Sequence, residues 1–270
     1  DFSSTIPTFV LAELFGVPED DRRRFGPWVR HVTALQDQTL NGDGFADPEM
    51  ADGINAVGEL LTYFSEVIAE RRAGAGRGED LITSLVDAEL EGERLTDWDI
   101  LGFCFVVTAG GSDTTAGLIS HAIELLGKAP EQRKLLLDDP SLIGAAVPEF
   151  LRLESSVQGL ARTTTRDVTL HDITIPTGDK VLMLYGSANR DPREFGATAA
   201  ELDIRREAGR HLAFSSGPHF CIGSHLARLQ ARIALEELLA ACPQIEVDPA
   251  TGVRHRSAFV RTWHSLPAQL

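Results

Sequence analysis

Cys221, His219 and the glycines around them are the residues best placed to do chemistry. The stretch reads Phe214-Ser215-Ser216-Gly217-Pro218-His219-Phe220-Cys221-Ile222-Gly223. A helical pattern, Ser224-His225-Leu226-Ala227-Arg228-Leu229-Gln230-Ala231-Arg232, follows directly and runs to about Ala241. Cys221 is therefore predicted at a helix N-terminus. Free N–H groups and the positive end of the dipole favour thiolate over thiol there. Gly217 permits a tight turn, and Gly223 lets something flat and bulky approach the backbone. A thiolate held this way is either a ligand for haem iron or a nucleophile, whereas a lone cysteine in an apolar helix is more often a small core residue.

Two other constellations can carry chemistry. Gly110-Gly111-Ser112-Asp113-Thr114-Thr115 lies inside a long helical pattern. That pattern opens at Thr96-Asp97-Trp98-Asp99, with Thr96 as cap and Asp99 at the capping-box position, and runs past Leu126. It is far longer than the usual three or four turns. Adjacent glycines inside a helix cost about 1 kcal/mol each against alanine. Either something passes close to the backbone, or the helix opens locally, or a glycine packs against another helix. A hydroxyl beside a carboxylate at such a kink makes a proton route into a dry pocket. Thr114 can instead bond back to a helix carbonyl, with Asp113 in solvent. The second constellation is Glu149-x-x-Arg152, one face of one helix. Burying such a pair demands further hydrogen bonds.

The F-x-x-G-x-H-x-C-x-G pattern of residues 214–223 resembles the haem-binding loop of the cytochrome P-450 family, which is marked by Cys-thiolate ligation. Glu149-x-x-Arg152 matches the family's K helix. Residues 110–115 match the oxygen-activating segment of its I helix, and Asn189-Arg190-Asp191-Pro192 resembles its meander. The motifs occur in the family's order. The resemblance implies a mainly α fold with a small antiparallel β region, of the bacterial soluble type and incomplete at the N-terminus. Residues 1–270 are then a single domain fragment running from the family's late E helix to the C-terminus.

The same resemblance assigns roles. Cys221 becomes the iron ligand of haem b, within a loop formed by Phe214, Gly217 and Gly223. Arg162 and His219 contact the haem propionates; on residue type alone, a cross-strand surface pair stays open for Arg162 and a base for Cys221 stays open for His219. Asp113 and Thr114 supply protons. Val106, Ala109, Gly110 and Val157 touch substrate. Glu149 and Arg152 lock the meander, with a third basic member among His211, Arg210 and Arg193. Two departures stand out. Ser215 sits where glycine is common, with little consequence expected because Gly217 and Gly223 are kept, and Ser155-Ser156-Val157 replaces a common Ser-Pro-Val.

The implied activity is monooxygenation: one atom of O2 enters a small apolar substrate and the other leaves as water. No flavin or iron–sulfur motif is present in the sequence, so a ferredoxin-like donor with its reductase is implied. Two rivals remain: a hydrolase using Cys221 and His219, and a non-catalytic remnant serving as a binding module. The family's missing front third would roof the pocket. Without it, the long helix is expected to expose apolar residues, and the chain is expected to hold haem weakly or not at all.

Composition sets the outer bounds. The chain has 270 residues, 43% apolar, with net charge −15. That suffices for one large domain with a sizeable core. The acidity argues against nucleic acid and anionic membranes. Locally the balance reverses: residues 201–232 hold five arginines (205, 206, 210, 228, 232) against three acids (Glu201, Asp203, Glu207). That face either docks an acidic donor or is simply solvated. Cys104, Cys221 and Cys242 show neither disulfide nor zinc spacing, which fits a reducing cytoplasm. No apolar run reaches the roughly 20 residues of a membrane span, and no secretory signal is visible.

The positioning elements follow in order. Helices are predicted over 3–15, from Val17-Pro18 to about Leu35, over 49–72, and briefly around Leu81–Val86. Residues 41–48 read as a loop and 73–78 as a glycine link. After the long helix come helices at 130–138 and 141–154. A small sheet is predicted from 157–175 and 180–185, then an arginine-rich meander. Short strands occupy 244–270.

Overall fold

A computed structural model describes residues 2–41, 48–76, 78–255, 257 and 260–269, with backbone only for 33–41 and 48–50. Of the predicted loop at 41–48, residues 42–47 lie outside the described residues. The chain forms two compact units, residues 1–116 and 117–270.

The first unit is helical: α1 (Phe2–Leu14), α2 (Arg22–Asn41), α3 (Pro48–Arg72), α4 (Leu81–Asp87) and α5 (Asp97–Gly111). α2 runs past the predicted end near Leu35. Gly16, at φ +68°, lets the chain turn after α1. Along α3, Ala56, Leu60, Phe64 and Ile68 recur at i, i+4 and are all buried. Phe64 meets Phe15 edge-on at 4.9 Å, and Phe25 packs against both. α5 adds Ile100, Leu101 and Cys104 to this core. Burial pushes the Cys104 thiol up to about 12, so it is an inert core residue. A hairpin that the sequence reading missed, β1 (Glu89–Leu90) with β2 (Glu93–Arg94), turns on Glu91 and Gly92, both at positive φ.

The predicted capping box is formed: Asp99 N–H donates to Thr96 Oγ1, and Thr96 N–H donates to Asp99 Oδ2. The predicted single helix over 96–128 is two helices. α5 stops at Gly111, Ser112 stands between at φ −83° and ψ −72°, and α6 (Asp113–Lys128) begins beyond it. The two glycines have different reasons. A Cβ on Gly111 would lie 3.2 Å from Leu11 of α1, so this position is close helix packing. A Cβ on Gly110 would meet nothing within 4 Å. Trp98, Gly102, Val106 and Gly110 form one exposed stripe of α5, with Trp98 78% and Val106 65% exposed.

In the second unit, α8 (Ile143–Leu153) and α11 (Ser224–Ala241) pack together. Ala146, Val147 and Phe150 on α8 and Ala231, Leu235 and Leu238 on α11 are buried. α7 (Pro130–Asp138) precedes them. The predicted small sheet is instead separate two-stranded ladders. β3 (Leu160–Thr163) pairs with β6 (Lys180–Met183), with Arg162 opposite Val181. Between them β4 (Val168–Leu170) and β5 (Ile173–Ile175) form a hairpin turning on His171 and Asp172, both at positive φ. Two short helices, α9 (Tyr185–Ala188) and α10 (Pro192–Phe195), punctuate the meander. Near the C-terminus β7 (Glu246–Val247) pairs with β10 (Ala268–Gln269), and β8 (Val253–Arg254) with β9 (Trp263–Ser265). Among the described residues, no helix is long and apolar enough to cross a membrane.

Candidate functional site

Cys221 sits at the end of a loop that turns through Gly217 at φ +73° and leads straight into α11. The loop is closed by its own backbone: Cys221 N–H donates to the Phe214 carbonyl at 3.0 Å, and Phe220 N–H to Gly217 at 2.9 Å. The Gly223 backbone N–H, just before the helix, pulls the Cys221 thiol down towards its ionised form. Phe214 is buried, meets Phe220 edge-on at 6.3 Å, and carries the Arg228 guanidinium 4.9 Å over its ring. Phe220 and Ile222, on either side of Cys221, are exposed.

The helix terminus does not make Cys221 a free thiolate, as its position had suggested. Burial raises its thiol above the ordinary range and outweighs the Gly223 N–H and the Arg228 charge, which both lower it. His219 is exposed, and no hydrogen bond joins it to Cys221 among the described residues. Arg162 is half-buried on β3, where its guanidinium donates to the Ala161 carbonyl at 3.2 Å.

The single donor also bears on the group it can hold. Among the described residues, no three His, Cys, Asp or Glu side chains gather into a metal site. Cys221 alone offers one bond, which suits an iron already held in a plane of other ligands. Space lies open over Gly217. These residues fit a haem.

The buried ion pair is more elaborate than its motif. Glu149 and Arg152 are both fully buried. Arg152 donates twice to Glu149 (2.7 and 2.8 Å) and to the carbonyls of Asn189 (2.7 Å), Ala199 (2.6 Å) and Glu201 (3.3 Å). Asp203 N–H also donates to Glu149. The third basic member is Arg206, with Nε 3.2 Å from Glu149 Oε1, and none of the three expected candidates. Arg193 is taken up by Asp191 and Arg210 by Glu194. His211 is held neutral, its pKa lowered to about 4 by burial and by Arg228 and Arg152. The local excess of arginine is thereby reduced: Arg206 turns inward and Arg232 faces Glu236 at 3.7 Å.

Asn189 joins this network to the cysteine loop. It is buried, its amide donates to Ser155 Oγ at 2.8 Å, and its Oδ1 accepts from Leu212 N–H at 2.6 Å. Ser215 has a consequence that the sequence reading did not foresee. It stands at φ +60°, and its hydroxyl lies 3.1 Å from that of Tyr185.

In the first unit, Val106 and Gly110 are exposed one turn apart, with Ala109 half-buried between them. Asp113 opens α6 and is half-buried, as is Thr114. The Thr114 hydroxyl donates to the Gly110 carbonyl at 2.6 Å, so the back-bonding open to a helical threonine is present. In the second unit Val157 is half-buried and bridges to Val260.

Residues 44–258 match the family model for cytochrome P450. The chain belongs to the cytochrome P450 family. It is 44% identical to cytochrome P450 130 of Mycobacterium tuberculosis over 97% of this chain and 63% of that protein. It is 36% identical to the cytochrome P450 monooxygenase PikC of Streptomyces venezuelae over 97% of this chain and 60% of that protein. The crystal structure of CYP109E1 from Bacillus megaterium in complex with testosterone superposes with a TM-score of 0.89 at 33% identity, covering 99% of this chain and 70% of that one. The chain thus spans less than two thirds of the length of these two sequence relatives.

Proposed function

We propose that the chain carries the haem-thiolate centre of a monooxygenase that inserts one atom of O2 into a small apolar substrate. The observation that supports this best is Cys221 as a solitary donor, its N–H held by the Phe214 carbonyl just before α11. Cys221 would bind the iron of haem b, Phe214, Gly217 and Gly223 would shape the loop beside it, and Arg162 and His219 would hold the propionates. The haem, when bound, supplies the oxygen chemistry, and the thiolate's electron density favours O–O cleavage.

The protein's own tasks are to bind, orient and deliver protons. Thr114 keeps an acceptor lone pair while it donates to Gly110, and Asp113 is its neighbour at the α5–α6 break. Together they are suited to passing protons. The small or apolar faces of Val106, Ala109, Gly110 and Val157 suit an apolar substrate, as does the testosterone held by the Bacillus megaterium relative. Electrons would come from a ferredoxin-type protein and its reductase, in the cytoplasm. In the working enzyme, the exposed stripe of α5 would be covered by further polypeptide of the kind that the longer relatives contain, so that residues 1–270 serve as part of one P450 domain.

Haem titration of the purified chain tests the reading. A weak Soret band that saturates only at high haem concentration, and that is lost when Cys221 is alkylated first, is the expected result. Alkylation without effect on the band would overturn it. The hydrolase reading is weakened by the missing His219–Cys221 hydrogen bond and by a thiol whose pKa is raised.

A further inference from the structure

Tyr185 opens α9 and Asn189 caps its C-terminal end one turn later, where Asn189 N–H donates to the Tyr185 carbonyl at 2.9 Å. Both are buried, and both reach the cysteine loop. Asn189 holds the Leu212 N–H, and Tyr185 meets the Ser215 hydroxyl. Between these points Ser215 N–H donates to the Leu212 carbonyl at 2.8 Å and closes a turn. Ser215 adopts φ +60° there, a conformation that glycine enters freely and residues with a Cβ rarely do. The next link is short. Phe214, adjacent to Ser215, offers its carbonyl to Cys221 N–H. Whatever fixes Ser215 also fixes the carbonyl that orients the cysteine.

We propose that Tyr185 is a positioning residue for the cysteine loop: its hydroxyl bond to Ser215 offsets the strain of a non-glycine residue at a left-handed position. Asn189 anchors the same turn from the other end and ties it to Arg152 and Ser155. The proposal rests on the haem-thiolate reading only for what the loop holds. The clamp itself is a property of the protein without haem.

Hydrogen exchange of the full chain, read by mass spectrometry on peptides covering 212–223, tests it. Tyr185→Phe should speed exchange in this loop about threefold to tenfold, the scale of one lost hydrogen bond. Peptides from α3 and from the β4–β5 hairpin should not change. Adding Ser215→Gly to Tyr185→Phe should restore the original rates, because glycine takes φ +60° without help. No acceleration in Tyr185→Phe, or acceleration that Ser215→Gly fails to reverse, would show that Tyr185 merely packs and would overturn the proposal. If the exchange pattern appears while the Soret band survives alkylation of Cys221, the positioning role stands and the haem-thiolate reading falls.

Discussion

Arg206 Nε lies 3.2 Å from Glu149 Oε1, so one fully buried carboxylate is shared by two guanidinium groups. Their shares are unequal. Arg152 donates to Glu149 twice and to three backbone carbonyls, whereas Arg206 gives Glu149 one bond and spends its others on Phe195 and Thr198.

The two arginines should therefore differ in weight. Arg152→Leu leaves Glu149 without its main partner in a dry site, a loss of about 3–5 kcal/mol. Arg206→Leu leaves the Arg152 pair and the Asp203 N–H in place, a loss of about 1–2 kcal/mol. Urea unfolding of both variants measures the difference. Equal losses would show that Glu149 depends on the whole triad and not chiefly on Arg152.

Thr114→Ala removes the hydroxyl now bonded to the Gly110 carbonyl. Haem content should be unchanged. In a turning-over enzyme, product formed per electron should fall roughly tenfold or more, with hydrogen peroxide making up the difference. Unchanged coupling would mean that the hydroxyl serves only the helix carbonyl.

Stability should fall in acid, and His121 should be a main cause. It is fully buried, and burial, Arg254 and Arg261 lower its pKa from 6.5 to about 3, against the opposing pull of Glu124. Arg254 Nη1 lies 3.1 Å from His121 Nε2, and an arginine can only donate, so Nε2 accepts and the ring is neutral. The unfolded chain binds this proton near pH 6.5 and the folded chain does not. The stabilisation is therefore complete above about pH 6.5 and is lost as pH falls towards 3, up to roughly 5 kcal/mol. His121→Gln keeps an acceptor but cannot charge. Its urea midpoint should decline less steeply between pH 6 and 4 than that of the unaltered protein. Parallel slopes would place the acid sensitivity elsewhere, with His211 the next candidate.

Much of the fold was legible because long helices carry their own periodicity. The helix predicted over 49–72 and the Thr96 capping box are local patterns, and both formed as expected. The site motifs were legible for the same reason, each lying within a few residues. What was hidden depends on distant partners. The break at Ser112 lies beside Gly111, which packs on Leu11, far back in the chain. Arg206 could not be separated from its arginine neighbours, since only folding shows which one turns inward to Glu149. The raised Cys221 thiol reflects burial, which the helix start does not reveal. Ser215 was visible as a departure from glycine, but its remedy, Tyr185, lies in another element. A tyrosine ending an apolar strand run was the available hint, because a buried phenol needs a partner for its hydroxyl.

The central claim is that Cys221 is the thiolate ligand of a haem. The carbon monoxide difference spectrum of the reduced, haem-saturated protein tests it most directly, compared with Cys221→Ser. The account predicts the red-shifted Soret band of a thiolate-ligated carbonyl haem in the unaltered protein and its loss in the variant. An unshifted band in the unaltered protein, or the same spectrum in both, would contradict it.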